Sequence, residues 1–112
     1  MITVDLRTIG ARSGRERRVR LYAVHDSDAL AVIGSSGGDP VHPAWVHNLR
    51  ANPRIRVIRG KREYEAVARE VEGAERERIW QALREGFPLY ERYRQRTDRR
   101  FPIFRLEEVE AG

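Results

Sequence analysis

Hydrophobic and polar residues alternate along the first part of the chain. Ile2, Val4 and Leu6 are separated by polar residues, which is the pattern of a β-strand with one buried face. The alternation returns in residues 19–24, and a fully apolar segment follows in residues 29–33. Because a polar turn separates these two segments, they predict a β-hairpin.

The second half of the chain contains three more segments of strand type. Apolar and β-branched residues in 55–58, 62–71 and 101–106 predict these strands. The polar tail that begins at Glu107 is expected to be frayed, because it has no apolar face to bury.

Helical spacing of apolar residues predicts an amphipathic helix in residues 74–85. Two shorter helices are predicted in residues 43–51 and 89–96, each starting next to a proline, which suits a first helical turn. Trp80 and Phe87 lie at the apolar positions of the long helix and beyond it, so they are expected to belong to the core.

Six predicted strands with no strand–helix–strand repeat favour an antiparallel β-barrel with helices packed outside it. A chain of 112 residues has the length of one domain, so residues 1–112 are expected to form a single barrel domain.

A loop of small residues joins the third predicted strand to the first helix. It contains Ser35, Ser36, Gly37 and Gly38. The glycines would let a ligand approach the main chain, and free amides at the start of a helix attract anions. Trp45 offers a flat apolar surface and Asn48, one turn later, a hydrogen-bonding amide. An ordinary connection with Trp45 buried in the core is the alternative interpretation.

The charge favours an anionic partner. The chain has 22 basic and 17 acidic residues, a net charge of +5, and Lys61 is its only lysine. Arginine binds phosphate and carboxylate through a planar fork of N–H groups. Nucleic acid is not the expected partner, since acidic residues are interspersed in the second half and stacking aromatics do not cluster on one strand.

Several classes of chemistry are excluded or disfavoured. The chain has no cysteine, which excludes disulfides and thiolate metal sites, and His42 and His47 are poorly spaced for a metal site on one helix face. No segment is long and apolar enough to predict a membrane span, and no signal peptide is recognised, so a cytoplasmic location is expected. Ser35 and Ser36 lack a nearby base, so a cofactor is expected to supply any redox chemistry.

Three motifs occur in a fixed order, and together they cover the chain from about Leu6 to Leu106. They are Thr8-x-Gly10-x-Arg12-Ser13-Gly14-x-x-Arg17, then Gly37-Gly38-x-Pro40-x-His42-Pro43-x-Trp45-x-x-Asn48-Leu49-x-Ala51-Asn52-Pro53, then Tyr90-x-x-Tyr93-x-x-Arg96-Thr97-x-Arg99-x-x-Pro102. With these motifs the chain resembles the deazaflavin-dependent nitroreductase family. The resemblance implies an FMN-binding-like split β-barrel and the 8-hydroxy-5-deazaflavin coenzyme F-420.

The resemblance also implies an activity. Such an oxidoreductase transfers a hydride from the reduced coenzyme to a small electron-poor acceptor, which is a quinone, an activated alkene or a nitro compound. It further implies that Arg12, Ser13 and Arg17 hold the coenzyme's phosphate and acidic tail, and that residues 35–38 lie along the deazaflavin ring. Arg50, near a helix end, would add complementary charge.

The remaining site residues follow from the same resemblance. Trp45 and Asn48 match positions that close over the cofactor. Tyr90 and Tyr93 match a segment that borders the substrate pocket, where a phenol could donate a proton or a hydrogen bond to the acceptor. The alternative role for these two tyrosines is helix packing.

The chain departs from the family pattern at three positions. Ala11 and Ser36 stand where a basic residue is common, and Arg20 stands where proline is common. The family's additional helix before the first strand is also expected to be missing. Two other functions stay open: an FMN-binding protein of the same barrel type, and a non-enzymatic carrier of the deazaflavin coenzyme. The oligomeric state, including a homodimer, is not decided by the sequence.

Overall fold

Six antiparallel strands close into a barrel in the computed structural model, which describes residues 2–110. The strands are β1 (Ile2–Ile9), β2 (Glu16–Asp26), β3 (Ala29–Ile33), β4 (Arg54–Arg59), β5 (Arg62–Glu70) and β6 (Ile103–Glu108). They pair in the order β1-β2-β3-β6-β5-β4, and β4 pairs with β1 to close the barrel. The predicted antiparallel barrel is therefore confirmed.

Three helices lie outside the barrel, as the sequence predicts. They are α1 (Ala44–Ala51), α2 (Gly73–Gly86) and α3 (Leu89–Gln95). A single 3-10 turn, Ser36–Gly38, precedes α1 and was not predicted. This turn packs against α3, so the loop after β3 is held between the barrel and the helices.

Strand β3 separates two apolar clusters, which explains why all five of its residues are buried. Leu30 and Val32 face the barrel interior with residues of the other strands. Ala31 and Ile33 face outward and pack with residues of α2 and α3. A strand covered on both faces has a continuous apolar sequence rather than an alternating one.

The ends of two strands differ from the predictions. Strand β2 begins at Glu16, three residues before the predicted start, because its polar first residues pair with β1 up to Ile9. The expectation of a frayed tail from Glu107 is wrong for Glu107 and Glu108, which belong to β6. Arg69 donates hydrogen bonds to the Glu107 carboxylate, so ion pairing replaces apolar burial here. The last two residues of the predicted tail, 111 and 112, lie outside the described residues.

The pairing of β1 with β2 places two residues of β2 beside the site described below. Thr3 pairs with Tyr22 and Asp5 with Arg20. By the alternation along each strand, all four side chains lie on the outer face of the barrel, opposite to the core residues Val4 and Leu6.

Candidate functional site

A cavity of about 720 Å³ opens between the outer face of β1 and β2, the loop after β3 and the segment that joins α2 to α3. We call it the aromatic cavity. Its lining residues are Thr3, Arg20, Leu21, Tyr22, Ile33, Ser35, Ser36, Gly37, Pro43, Trp45, Phe87, Tyr90 and Tyr93. Its volume falls in the range of cavities that hold cofactors and drug-sized molecules, roughly 300–1,000 Å³.

Phe87 organises the aromatic side of this cavity. Its ring centroid lies 4.9 Å from that of Tyr90 in an edge-to-face arrangement, 6.3 Å from that of Tyr93 and 6.0 Å from that of Tyr22. Such geometries are favoured between aromatic rings. The expectation that Phe87 is only a core residue is therefore corrected, since its half-buried ring packs on the core and also lines the cavity.

Trp45 combines the two roles that the sequence left open. The side chain is 8% exposed and packs on Phe104 of the barrel core, with ring centroids 6.0 Å apart. It also lines the aromatic cavity. The core fixes the indole, so the surface that it presents to a ligand is rigid.

The two tyrosines of α3 both reach the aromatic cavity but differ in burial. Tyr90 is 5% exposed, and burial raises the pKa of its phenol to about 12. It therefore keeps its proton at neutral pH and can donate a hydrogen bond. Tyr93, one turn later, is half-buried with its ring 6.2 Å from that of Tyr90.

The loop after β3 has an unusual backbone at three successive residues. Ser36, Gly37 and Gly38 all have positive φ angles, of 47°, 64° and 85°. A non-glycine residue in this region is strained, and such strain clusters at functional sites. Gly37 lines the aromatic cavity, and a Cβ added there would meet no atom within 4 Å.

Gly38 has a different reason for being glycine. It is buried against α3, and a Cβ at this position would lie 2.7 Å from the carbonyl oxygen of Tyr93. Gly38 does not line the aromatic cavity, so for this residue the expectation of a place along the deazaflavin ring stays a prediction. Only glycine, which has a hydrogen atom in place of a Cβ, fits here, because the backbone of the loop packs directly on the backbone of α3.

Arg99 holds the same loop from the other side, a role that sequence reasoning missed. Its guanidinium donates to the carbonyl oxygens of Gly34 at 2.9 Å, Ser35 at 2.6 Å and Asp39 at 2.8 Å. One terminal nitrogen also lies 2.5 Å from His42 Nδ1. Burial, assisted by the charge of Arg99, lowers the pKa of His42, so a neutral imidazole can accept this contact.

A second cavity, of about 580 Å³, lies beside the connection between β1 and β2. We call it the arginine cleft. Its lining residues are Gly10, Ala11, Arg12, Ser13, Arg17, Ala44, His47 and Asn48. Both cavities border the first turn of α1, with Trp45 on the aromatic cavity and Ala44 on the arginine cleft.

Asn48 lies in the arginine cleft rather than over the aromatic cavity. Its Oδ1 accepts a hydrogen bond of 2.9 Å from the backbone N–H of Ala11. Asn48 and Trp45 therefore face different cavities, and they can close over one cofactor only if that cofactor reaches both. Asn48 also ties the β1–β2 connection, which carries Arg12 and leads into Arg17 at the start of β2, to α1.

The arginines of this connection and of the start of β2 differ from most others in the described chain. Within residues 2–110, no carboxylate lies within 4.0 Å of the guanidinium of Arg12, Arg15 or Arg17. Arg50, in contrast, forms two hydrogen bonds of 2.9 Å with Glu70 and lines neither cavity. Arg50 is thus paired with an acid and lies apart from both cavities, so this arrangement gives no support to the expectation that it supplies charge to a ligand.

The predicted site residues other than Gly38 thus fall into two groups, and both groups include a residue of the first turn of α1 or its neighbours on that helix. Residues 35–37, Trp45 and both tyrosines line the aromatic cavity, whereas Arg12, Ser13, Arg17 and Asn48 line the arginine cleft and Gly38 lines neither. In the described part of the chain no helix could cross a membrane, and no three His, Asp or Glu side chains are grouped as metal ligands.

Comparisons with known proteins give a consistent result. A family model described as F420H(2)-dependent quinone reductase matches residues 2–108. An F420H(2)-dependent quinone reductase of Mycobacterium tuberculosis is 35% identical over 101 residues, which is 88% of this chain and 68% of that protein. A solved structure of an F420-H2 dependent reductase has a TM-score of 0.86 and 42% identity, over 94% of this chain and 93% of that one. Another, described as a domain-swapped dimer, has the same TM-score and identity and covers 94% and 79%.

Proposed function

The chain belongs to the F420H(2)-dependent quinone reductase family, and from this premise we propose that it binds the deazaflavin coenzyme F-420 across its two cavities and reduces a quinone. Membership makes it an oxidoreductase whose cofactor is coenzyme F-420. The observation that supports the proposed binding mode is that an aromatic cavity and a cleft of unpaired arginines both border the first turn of α1.

The residues fit the two chemical parts of the coenzyme. The ring is flat and aromatic, and the aromatic cavity offers the rigid indole of Trp45 and the ring of Phe87. The tail carries a phosphodiester and several carboxylates, and Arg12 and Arg17 offer guanidinium groups that no acid of the described chain occupies. When bound, the reduced coenzyme supplies the hydride from C5 of its ring.

Each group of residues then has a positioning role. Residues 35–37 border the ring through main chain and small side chains, and the bonds from Arg99 fix the loop that carries them. Arg12, Ser13 and Arg17 bind the phosphate and carboxylates. Asn48 holds their segment against α1, so the two halves of the ligand site keep their spacing.

The tyrosines act on the acceptor. Tyr90 stays protonated at neutral pH, so its hydroxyl can donate to a quinone oxygen as negative charge develops there. Tyr93 presents a second hydroxyl at the same wall of the cavity. The aromatic wall excludes water from the face on which the acceptor stacks.

Turnover with a quinone tests this proposal against the carrier function. The purified protein, supplied with reduced coenzyme and a neutral naphthoquinone, should oxidise one coenzyme for each quinol formed, measured by absorbance and by product analysis. Tight binding of the coenzyme without any quinol above the protein-free rate would identify a carrier instead.

We propose three further properties of the protein. A homodimer is suggested by the related structure described as a domain-swapped dimer, and analytical ultracentrifugation would detect it. A single domain is supported by the closure of all six strands into one barrel. We place the reaction in the cytoplasm because a coenzyme with several carboxylates does not cross a bilayer unaided; fractionation of cells tests this.

A further inference from the structure

Arg20 is the one charged side chain among the thirteen residues that line the aromatic cavity. The other lining residues are aromatic, aliphatic or hydroxyl-bearing, or are glycine and proline. Arg20 is therefore the one lining residue that can form a charge-assisted hydrogen bond with an anionic group of a ligand.

Asp5 tethers this charge at the cavity. Arg20 Nε donates to Asp5 Oδ1 at 2.9 Å, while Arg18 donates twice to Asp5 Oδ2, at 2.9 and 2.7 Å. The two guanidinium groups lower the pKa of Asp5 to about 2, so the carboxylate keeps its charge. Two cations against one anion leave a positive charge on the group as a whole.

The terminal nitrogens of Arg20 remain available. Among the described residues they have no hydrogen-bond partner, and the side chain is 74% exposed. A tethered guanidinium with free N–H groups beside aromatic rings suits a planar aromatic molecule with a carboxylate, a sulfonate or an ionised hydroxyl.

We propose that Arg20 gives the enzyme a preference for quinones that carry a negatively charged substituent. The quinone ring stacks in the aromatic cavity and its anionic substituent accepts hydrogen bonds from the free end of Arg20. This inference rests on the proposed function, because it takes the aromatic cavity to be the place where the acceptor binds.

A pair of acceptors and a pair of variants test the preference. The ratio of kcat/KM for a naphthoquinone sulfonate to kcat/KM for the uncharged naphthoquinone is measured in the wild type, in Arg20→Gln and in Arg18→Gln. Arg18 is the matched control, because it binds the same carboxylate but does not line the cavity. The ratio should fall about tenfold in Arg20→Gln and clearly less in Arg18→Gln, which lowers the net charge of the group equally but keeps the free guanidinium of Arg20 at the cavity; equal thermal midpoints check the fold.

An unchanged ratio in Arg20→Gln would overturn the inference. If the affinity for the coenzyme also falls in that variant, Arg20 would be assigned to the coenzyme instead. Calorimetric binding of a naphthalene sulfonate, with and without the oxidised coenzyme, needs no turnover. If the wild type reduces neither quinone, the proposed function fails. In that case, loss of sulfonate binding in Arg20→Gln but not in Arg18→Gln would still support the anion site. Unchanged sulfonate binding in Arg20→Gln would reject the anion site.

Discussion

Individual arginines in this molecule are distinguished by their partners. Arg50 is fully engaged by Glu70 and Arg69 by two carboxylates, whereas Arg12 and Arg17 have no acidic partner in the described chain and line a cleft. A guanidinium that is already paired with a carboxylate has fewer N–H groups free for a ligand. The unpaired guanidinium groups that line a cavity are therefore the better candidates for binding an anionic ligand.

Replacing Arg12 or Arg17 with alanine should weaken coenzyme binding by about 1 to 3 kcal/mol each, because each removes a charge-assisted bond to the anionic tail. Calorimetry at low salt measures this loss, which should shrink at high salt. Arg15→Ala is the matched control, since Arg15 is unpaired in the same connection but does not line the cleft. An equal loss of affinity in all three variants would show that the basic segment attracts the coenzyme only through its total charge, and it would reject specific bonds from Arg12 and Arg17.

Tyr93→Phe isolates the contribution of one hydroxyl to turnover. The ring stays in its contacts with Phe87 and Tyr90, so the affinity for the coenzyme should be unchanged. If the phenol assists proton delivery to the acceptor, kcat should fall about 100-fold. Steady-state kinetics and a coenzyme titration on the same preparation separate the two effects. Unchanged kcat, or a matching loss of affinity, would remove Tyr93 from the reaction.

The loop between β3 and α1 is the element on which the ring site depends. Gly37 faces open space in the aromatic cavity, so Gly37→Ala adds a methyl group without a clash inside the protein. Its positive φ makes alanine cost about 1 kcal/mol of folding free energy. If the ring lies on this backbone, the binding free energy of the coenzyme should weaken by more than the roughly 1 kcal/mol by which the substitution destabilises the fold. Gly38→Ala should instead destabilise the fold, because its Cβ would meet the backbone of α3.

Gly60→Ala is the control for the Gly37 substitution. Gly60 has a similar φ of 59°, also faces open space, and lies in the β4–β5 turn away from both cavities. Its loss of thermal stability should match that of Gly37→Ala, while its coenzyme affinity stays that of the wild type. Equal affinities in the two variants would place the ring somewhere other than on this loop.

Arg99 connects the segment after α3 to the same loop, and its removal tests whether that loop must be fixed. Arg99→Gln loses the bonds to the carbonyl oxygens of Gly34 and Ser35, so amide hydrogen exchange in the loop should rise. The dissociation constant of the coenzyme should rise about tenfold, as expected for a less ordered site. Arg100→Gln, which loses only an exposed pair with Glu72, should change neither quantity. A loop that stays protected in Arg99→Gln would contradict this role.

The whole barrel could be predicted from the chain because its strands follow simple patterns. Alternation of apolar residues marks β1 and β2, and a continuous apolar run marks β3. The extension of β6 could not be predicted, because Glu107 is held by Arg69, which lies 38 positions earlier. Contacts between distant charged residues leave no local periodicity.

Site residues that belong to a sequence motif could be predicted from the sequence. Site residues whose role comes from a contact between distant segments could not. Trp45 and Arg12 were identified from the resemblance. The roles of Phe87, Arg99 and Gly38 depend on how α3 and the loop after β3 meet, which no local spacing reveals. The place of Asn48 in the arginine cleft involves another long-range contact, the hydrogen bond from the Ala11 N–H to Asn48 Oδ1.

A parallel titration with coenzyme F-420 and FMN tests the central claim most directly. Both ligands have a flat ring and a phosphate group, but only the deazaflavin coenzyme carries the additional carboxylates that the unpaired arginines would bind. The account predicts binding of coenzyme F-420 at least about tenfold tighter than that of FMN at low salt, with the difference shrinking as salt is added. Equal or tighter binding of FMN would contradict the assignment of the two cavities to one deazaflavin coenzyme.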